Sequence, residues 1–191
     1  NAMLPSTMYL SPDSLSYLGV NPVVPPAFPL LVRGLVKLEL WAGADRIVLL
    51  RYLAIALYSF GGYLIARAFW RSGHFGAALL VLPAIWSMNS LTMYLNYVLT
   101  EGVATSLMLI TCGAYANAVV SEQQGHSRSA DHLFAGFIVA GMLTFMARPA
   151  FAFVLVALVA LSLAASIRTR RRAAIAAVGI GGLLAFHLLL A

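Results

Sequence analysis

The sequence predicts an all-α fold, a polytopic transmembrane helical bundle of about six spans with one interfacial helix, and three observations predict it. Of the 191 residues, 62% are hydrophobic and only 9% are charged, whereas a soluble domain uses about a quarter charged residues to coat its exterior. The mean hydropathy of +0.91 leaves lipid as the solvent for most of the surface. Apolar stretches recur along the chain with polar or proline-containing breaks between them, and a stretch of about 20 residues spans the hydrocarbon core at helical rise.

Asn1-Ala2-Met3 reads as the remnant of a cleaved tag ahead of an initiator methionine and is set aside from the fold. Residues 4–41 form an outer loop and an interfacial helix. The loop part, with Pro5, Pro12, Pro22, Pro25 and Pro26, is too rich in turn formers for a helix. Phe28 to Trp41 then mixes leucine and valine with Arg33, Lys37 and Glu39 at helical spacing, the pattern of a helix lying in the membrane plane.

Residues 42–191 form the bundle. The first crossing is expected over Ile47–Phe69, ending at Trp70-Arg71-Ser72-Gly73-His74. The second, Gly76–Trp86, is short and breaks near Pro83, Asn89 and Ser90. A third runs over Tyr94–Val119, and a polar loop, Ser121–Asp131, follows it. The apolar block from His132 to Ile167 is too long for one helix, and Arg148-Pro149 divides it into two, because proline disfavours helix in the residue before it. The last crossing is Ala173–Leu190. An N-terminal loop with no helix before it and an apolar end to the chain are what a fragment of a longer protein would have.

Charge orients this arrangement. The net charge of +6 is not a nucleic-acid footprint: Arg168, Arg170, Arg171 and Arg172 fall between two apolar stretches, as in a cytoplasmic loop. With the N-terminal loop outside, that loop, Arg71 and Arg128 all fall inside, and Arg148 shares the outer side with Asp13. Arg46, Arg51 and Arg67, near the ends of the first crossing, read as interfacial anchors.

An ionisable group at membrane depth costs several kcal/mol unless paired or wet, about 2.5–3.5 on insertion scales, so few residues are candidates for chemistry. Glu101 lies on one helical stripe with Tyr94, Tyr97 and Thr105, which would face a polar cavity; the alternative is a structural carboxylate tied to a tyrosine or to Arg148. Arg148, at a turn between two crossings, presents a guanidinium that can bind a phosphate with two parallel hydrogen bonds or anchor a helix end. Asp13, in Ser11-Pro12-Asp13-Ser14, reads from its neighbours as a turn or helix cap. His74, His126, His132 and His187 show no paired ligand spacing, so no metal site is expected. The single cysteine, Cys112, sits in an apolar run as a buried core thiol, and Gly61, Gly62, Gly179, Gly181 and Gly182 read as close helix contacts.

Three segments together resemble a known family. Ser11-Pro12-Asp13-Ser14-Leu15-Ser16-Tyr17-Leu18, followed by Pro25-Pro26-Ala27-Phe28-Pro29-Leu30-Leu31, looks like the first outer loop of the C-type (GT-C) glycosyltransferases that use polyprenyl-phosphate-linked sugars, including the protein mannosyltransferases and aminoarabinose transferases. Tyr97 to Leu107, with Glu101, is similar to that family's acidic position at the outer end of a middle span. Gly141 to Pro149 resembles its small-residue helix ending in Arg-Pro.

The resemblance covers about residues 8–167. It implies a catalytic aspartate at Asp13, with Glu101, Arg148, Tyr17, Tyr97 and Arg33 as the substrate-binding set. It further implies a multi-pass enzyme of the inner (cell) membrane, active on its extracytoplasmic side, that transfers a sugar with inversion from a polyprenyl-phosphate donor to an acceptor that the sequence does not identify. Partners are then the lipid donor and the membrane, with no nucleic acid. Family members usually have a helix before the aspartate loop and more spans after the sixth. Many carry a second acidic residue where Ser14 stands, so no cofactor is expected and a divalent metal is not supported. A transporter would need polar residues near the midplane and often an internal repeat, and a non-catalytic membrane scaffold would need neither.

Overall fold

A computed structural model describes residues 33–88 and 100–148 with few gaps, and a handful of positions beyond them. Four helices carry the architecture: α1 (Arg46–Arg71), α2 (Phe75–Ser87), α3 (Thr100–Gln123) and α4 (Ser127–Ala147). No strand occurs among the described residues. Three of the helices are long and apolar enough to cross a membrane: Val48–Arg71 within α1, Gly102–Gln123 within α3, and α4. α2, at 13 residues, is about 20 Å long and falls short of the ~30 Å hydrocarbon core. The fifth and sixth expected crossings lie outside the described residues, apart from scattered positions.

Consecutive helices run antiparallel. Tyr58 of α1 donates its hydroxyl proton to the carbonyl of Ile85 in α2 at 2.9 Å, and its ring meets that of Trp86 edge-on at 5.3 Å. α3 and α4 are joined by Thr111 Oγ1 and Thr144 Oγ1 at 3.2 Å and by the tilted rings of Tyr115 and Phe137 at 5.4 Å. The turns between them are short because glycine closes them: Gly73 (φ 85°) and Gly125 (φ 78°) hold the left-handed conformation in which helices commonly stop.

α1 and α3, not neighbours in sequence, pack parallel from Ala54 to Arg71 of α1. Ser106 donates to the Ala54 carbonyl at 3.3 Å, Asn117 Nδ2 to the Leu64 carbonyl at 2.6 Å, and Arg71 reaches Ser121 Oγ at 2.8 Å and Gln124 Oε1 at 2.7 Å. Gln124 Nε2 returns a bond to the Arg71 carbonyl at 2.8 Å, closing a reciprocal clasp. Glycine makes this approach close enough. A Cβ on Gly61 would stand 2.6 Å from Leu109 Cβ, and one on Gly113 would stand 2.6 Å from Leu64 Cβ.

Gly61, Gly62 and Gly179 are close contacts as their sequence setting predicts, against Leu109, Leu82 and Ile138. Other expectations change. The loop expected over Ser121–Asp131 shrinks to Gln124-Gly125-His126, because the polar residues on either side form the final turn of α3 and the first of α4. α2 continues through Pro83 to Ser87, so the proline costs it one backbone bond and does not end it. Cys112 is half-buried.

Tyr58 is fully buried, so no water replaces its hydroxyl on the Ile85 carbonyl when the hydroxyl is removed. Tyr58→Phe is expected to lower stability by about 1 kcal/mol, the scale of a hydrogen bond between membrane helices. Thermal unfolding in detergent against wild type checks it.

Candidate functional site

The alternation of helix direction gathers the N-termini of α1 and α3 and the C-terminus of α4 at one end of the bundle. Residue 101 is in the first turn of α3, and Arg148 caps α4. The two backbone positions that the sequence nominates on separate spans therefore belong to the same end. Of the Glu101 side chain the structure gives no description, and Asp13, Tyr17 and Tyr97 lie outside the described residues.

Arg148 owes its geometry to the residue after it. A residue before proline is pushed out of the helical region by the proline ring, and Arg148 has φ −152° and ψ 104°, extended backbone, immediately after the last helical residue, Ala147. Its N–H still donates to the Thr144 carbonyl at 2.8 Å. The side chain is thereby released from the helical path one turn beyond Thr144, whose own hydroxyl donates to the Ala140 carbonyl at 2.8 Å and meets Thr111. Arg148 is half-buried and takes part in further contacts within the chain.

Arg33 is helical and exposed, with Lys37 exposed one turn later. The described residues from 33 to 41 are all helical, and the N–H of Gly43 donates to the Glu39 carbonyl at 2.8 Å where this segment stops. Leu40 and Trp41 are 83% and 87% exposed, the side chains an interfacial helix would give to lipid. Only two residues separate Gly43 from the start of α1, three steps of chain and at most about 11 Å, so the segment ends beside the end of the bundle that holds Arg148.

The stripe through Glu101 does not open a polar cavity at its second described member, since Thr105 is buried. The polar side chains that matter to packing were not among the sequence candidates. Ser106, Asn117 and Ser121 are fully buried in α3, and with Gly113 they form one helical stripe facing Ala54, Gly61, Leu64 and Arg71. The signal was present as small residues seven apart on both helices, Ala54, Gly61 and Ala68 against Ser106 and Gly113, the repeat that allows two helices to approach closely. Among the described residues no three histidine, cysteine, aspartate or glutamate side chains come together as a metal site would require.

Set against known proteins, the chain matches no protein-family model, no curated protein and no solved structure.

Proposed function

We propose that this chain is a membrane glycosyltransferase that moves a sugar from a polyprenyl-phosphate donor to an acceptor hydroxyl on the extracytoplasmic side of the cell membrane. The observation that carries the reading is the order of three motifs along the chain, the aspartate loop, the glutamate of a middle span and the helix ending in Arg-Pro. It is supported by the antiparallel packing of α3 and α4, through which the backbone positions of the second and third motifs share one end.

In this reading Asp13 accepts the proton of the acceptor hydroxyl as its oxygen attacks the anomeric carbon. The bond from that carbon to the phosphate oxygen breaks, the phosphate leaves with the electron pair, and displacement from the opposite face inverts the centre. Arg148 stabilises the charge that develops on the phosphate, because a guanidinium fork matches two phosphate oxygens. Arg33 adds positive charge from the interfacial segment, Glu101 orients the acceptor or holds Arg148, and Tyr17 and Tyr97 contact the sugar.

Transfer of radiolabel from polyprenyl-phosphate sugars in proteoliposomes of the full chain tests this. Wild type is expected to transfer label, and Asp13→Asn to lower the rate about 10²–10⁴-fold, the range of a lost general base. Full activity in Asp13→Asn, or no transfer by wild type from any such donor, overturns the reading. One observation favours a non-catalytic scaffold instead: Ser106, Thr111, Asn117 and Thr144 are all spent on helix contacts. A scaffold would keep its assembly unchanged in Asp13→Asn and Arg148→Ala.

A further inference from the structure

The opposite end of the bundle carries a groove that neither the transferase reading nor the helix contacts use. Between α1 and α2 lies an open depression of about 270 Å³ lined by Tyr63, Ala66, Arg67, Trp70, Ala78 and Leu79. Tyr63, Ala66, Arg67 and Trp70 recur every three or four residues and so form one stripe of α1. All of the lining except Ala78 and Ala66 is exposed, Leu79 by 70% and Trp70 by 54%. The rim is aromatic: Phe60 stacks on Tyr63 at 6.2 Å, and Trp70 meets Phe75 edge-on at 4.7 Å.

A single cation stands in this apolar lining, and its neighbour on the same helix shows what is unusual about it. Arg71 is fully employed by Ser121 and Gln124, whereas Arg67 makes no hydrogen bond or ion pair among the described residues. The spanning part of α1 is 24 residues, about 36 Å at helical rise, so each end passes the ~30 Å hydrocarbon core by about 3 Å. Arg67, one turn from the Arg71 end, therefore starts just inside the hydrocarbon boundary, from which a long side chain reaches the phosphate level. A guanidinium at that depth needs a counter-charge, and the groove beneath it is open to the bilayer.

We propose that this groove is a binding site for an anionic glycerophospholipid, with the lipid phosphate on Arg67 and an acyl chain lying along Tyr63 and Leu79. The guanidinium supplies two parallel donors to phosphate oxygens, and Trp70 flanks the glycerol region as aromatic residues do at membrane interfaces. The end that holds it carries Arg67, Arg71 and Arg128 against Glu122 and Asp131, and a net positive end faces the anionic leaflet. The site stands independently of any transferase activity.

Native mass spectrometry of the full chain, released from micelles containing equimolar phosphatidylglycerol and phosphatidylcholine, tests the site. Both lipids carry a phosphate, but the choline ammonium of phosphatidylcholine already balances its charge and leaves less for Arg67, so wild type is expected to retain phosphatidylglycerol over phosphatidylcholine by about ten-fold. Arg67→Gln should abolish the preference, Arg67→Lys keep part of it, and Arg128→Gln leave it intact. Ala66→Phe, which fills the groove and keeps the charge, should also lose the retained lipid, so the conclusion does not depend on one variant folding well. Equal retention of the two lipids by wild type overturns the site. So does an unchanged preference in Arg67→Gln, or an equal loss in Arg67→Gln and Arg128→Gln, which would mark unspecific attraction to a positive end.

Discussion

Gly113→Leu is expected to lower stability by about 3 kcal/mol or more, the upper end of the overpacking range. The reason is what surrounds the position. A Cβ there would stand 2.6 Å from Leu64 Cβ, 3.2 Å from the Ile65 amide nitrogen and 3.3 Å from the Gly61 carbonyl oxygen. Two of those three atoms are backbone, so no rotamer change relieves the clash and α1 itself must move away. Moving it lengthens the Asn117 to Leu64 bond, now 2.6 Å, and the Ser106 to Ala54 bond, now 3.3 Å. Asn117 already has its Oδ1 buried without a partner, so losing its donor contact leaves the amide poorly matched in a medium without water. Gly136 provides the control, with no atom within 4 Å of a Cβ; Gly136→Ala should be neutral or stabilising by up to about 1 kcal/mol, as helix propensity predicts. Equilibrium unfolding in mixed micelles measures both, and similar values for the two variants would show that the glycine contact does not hold α1 to α3.

On the proposed transferase reading, Arg148→Ala is expected to reduce sugar transfer about 10²–10³-fold, the effect of removing one donor aimed at developing charge, with the loss in kcat and little change in KM for the donor. Arg148→Lys should fall between the two, since lysine restores the charge without the planar fork. The competing role, an anchor at the end of α4, predicts a different pattern. Thr144→Val would then mimic Arg148→Ala, because Thr144 lies one turn below and ties α4 to α3, and both variants would lose stability together with activity. A kcat loss at unchanged thermal stability separates the catalytic role from the anchor.

Much of the bundle was legible because hydrocarbon thickness and proline are strong constraints. The first crossing is expected over Ile47–Phe69 and α1 runs over Arg46–Arg71; the second is expected over Gly76–Trp86 and α2 runs over Phe75–Ser87. Arg148-Pro149 ends α4 where the proline rule puts the stop. The loop after α3 was overextended for a physical reason: Ser121, Glu122 and Gln123 are polar, yet a helix that has left the hydrocarbon can carry polar residues in its last turn, and only Gly125 marks where the helix stops. Asn117 was not legible as a partner of α1, because its acceptor there is a backbone carbonyl and a carbonyl leaves no trace in residue identity. For the site, the alternation of expected spans puts Glu101 and Arg148 at one outer end, and the directions of α3 and α4 bring residue 101 and Arg148 to the same end of the bundle.

The parallel contact of α1 with α3 has a consequence for biogenesis. The glycines that interlock, Gly61 and Gly113, are separated by about 50 residues of chain, which a ribosome making about 5–20 residues per second needs some 3–10 s to supply. Throughout that interval α1 has entered the bilayer without the helix it fits, its small-residue furrow filled by lipid tails and Arg71 without Ser121 or Gln124. Among the described residues the short α2 hairpin is then what α1 has to pack on, so assembly of the α1–α3 contact waits on synthesis of the third helix, and a pause between the codons for α2 and α3 would prolong the vulnerable state.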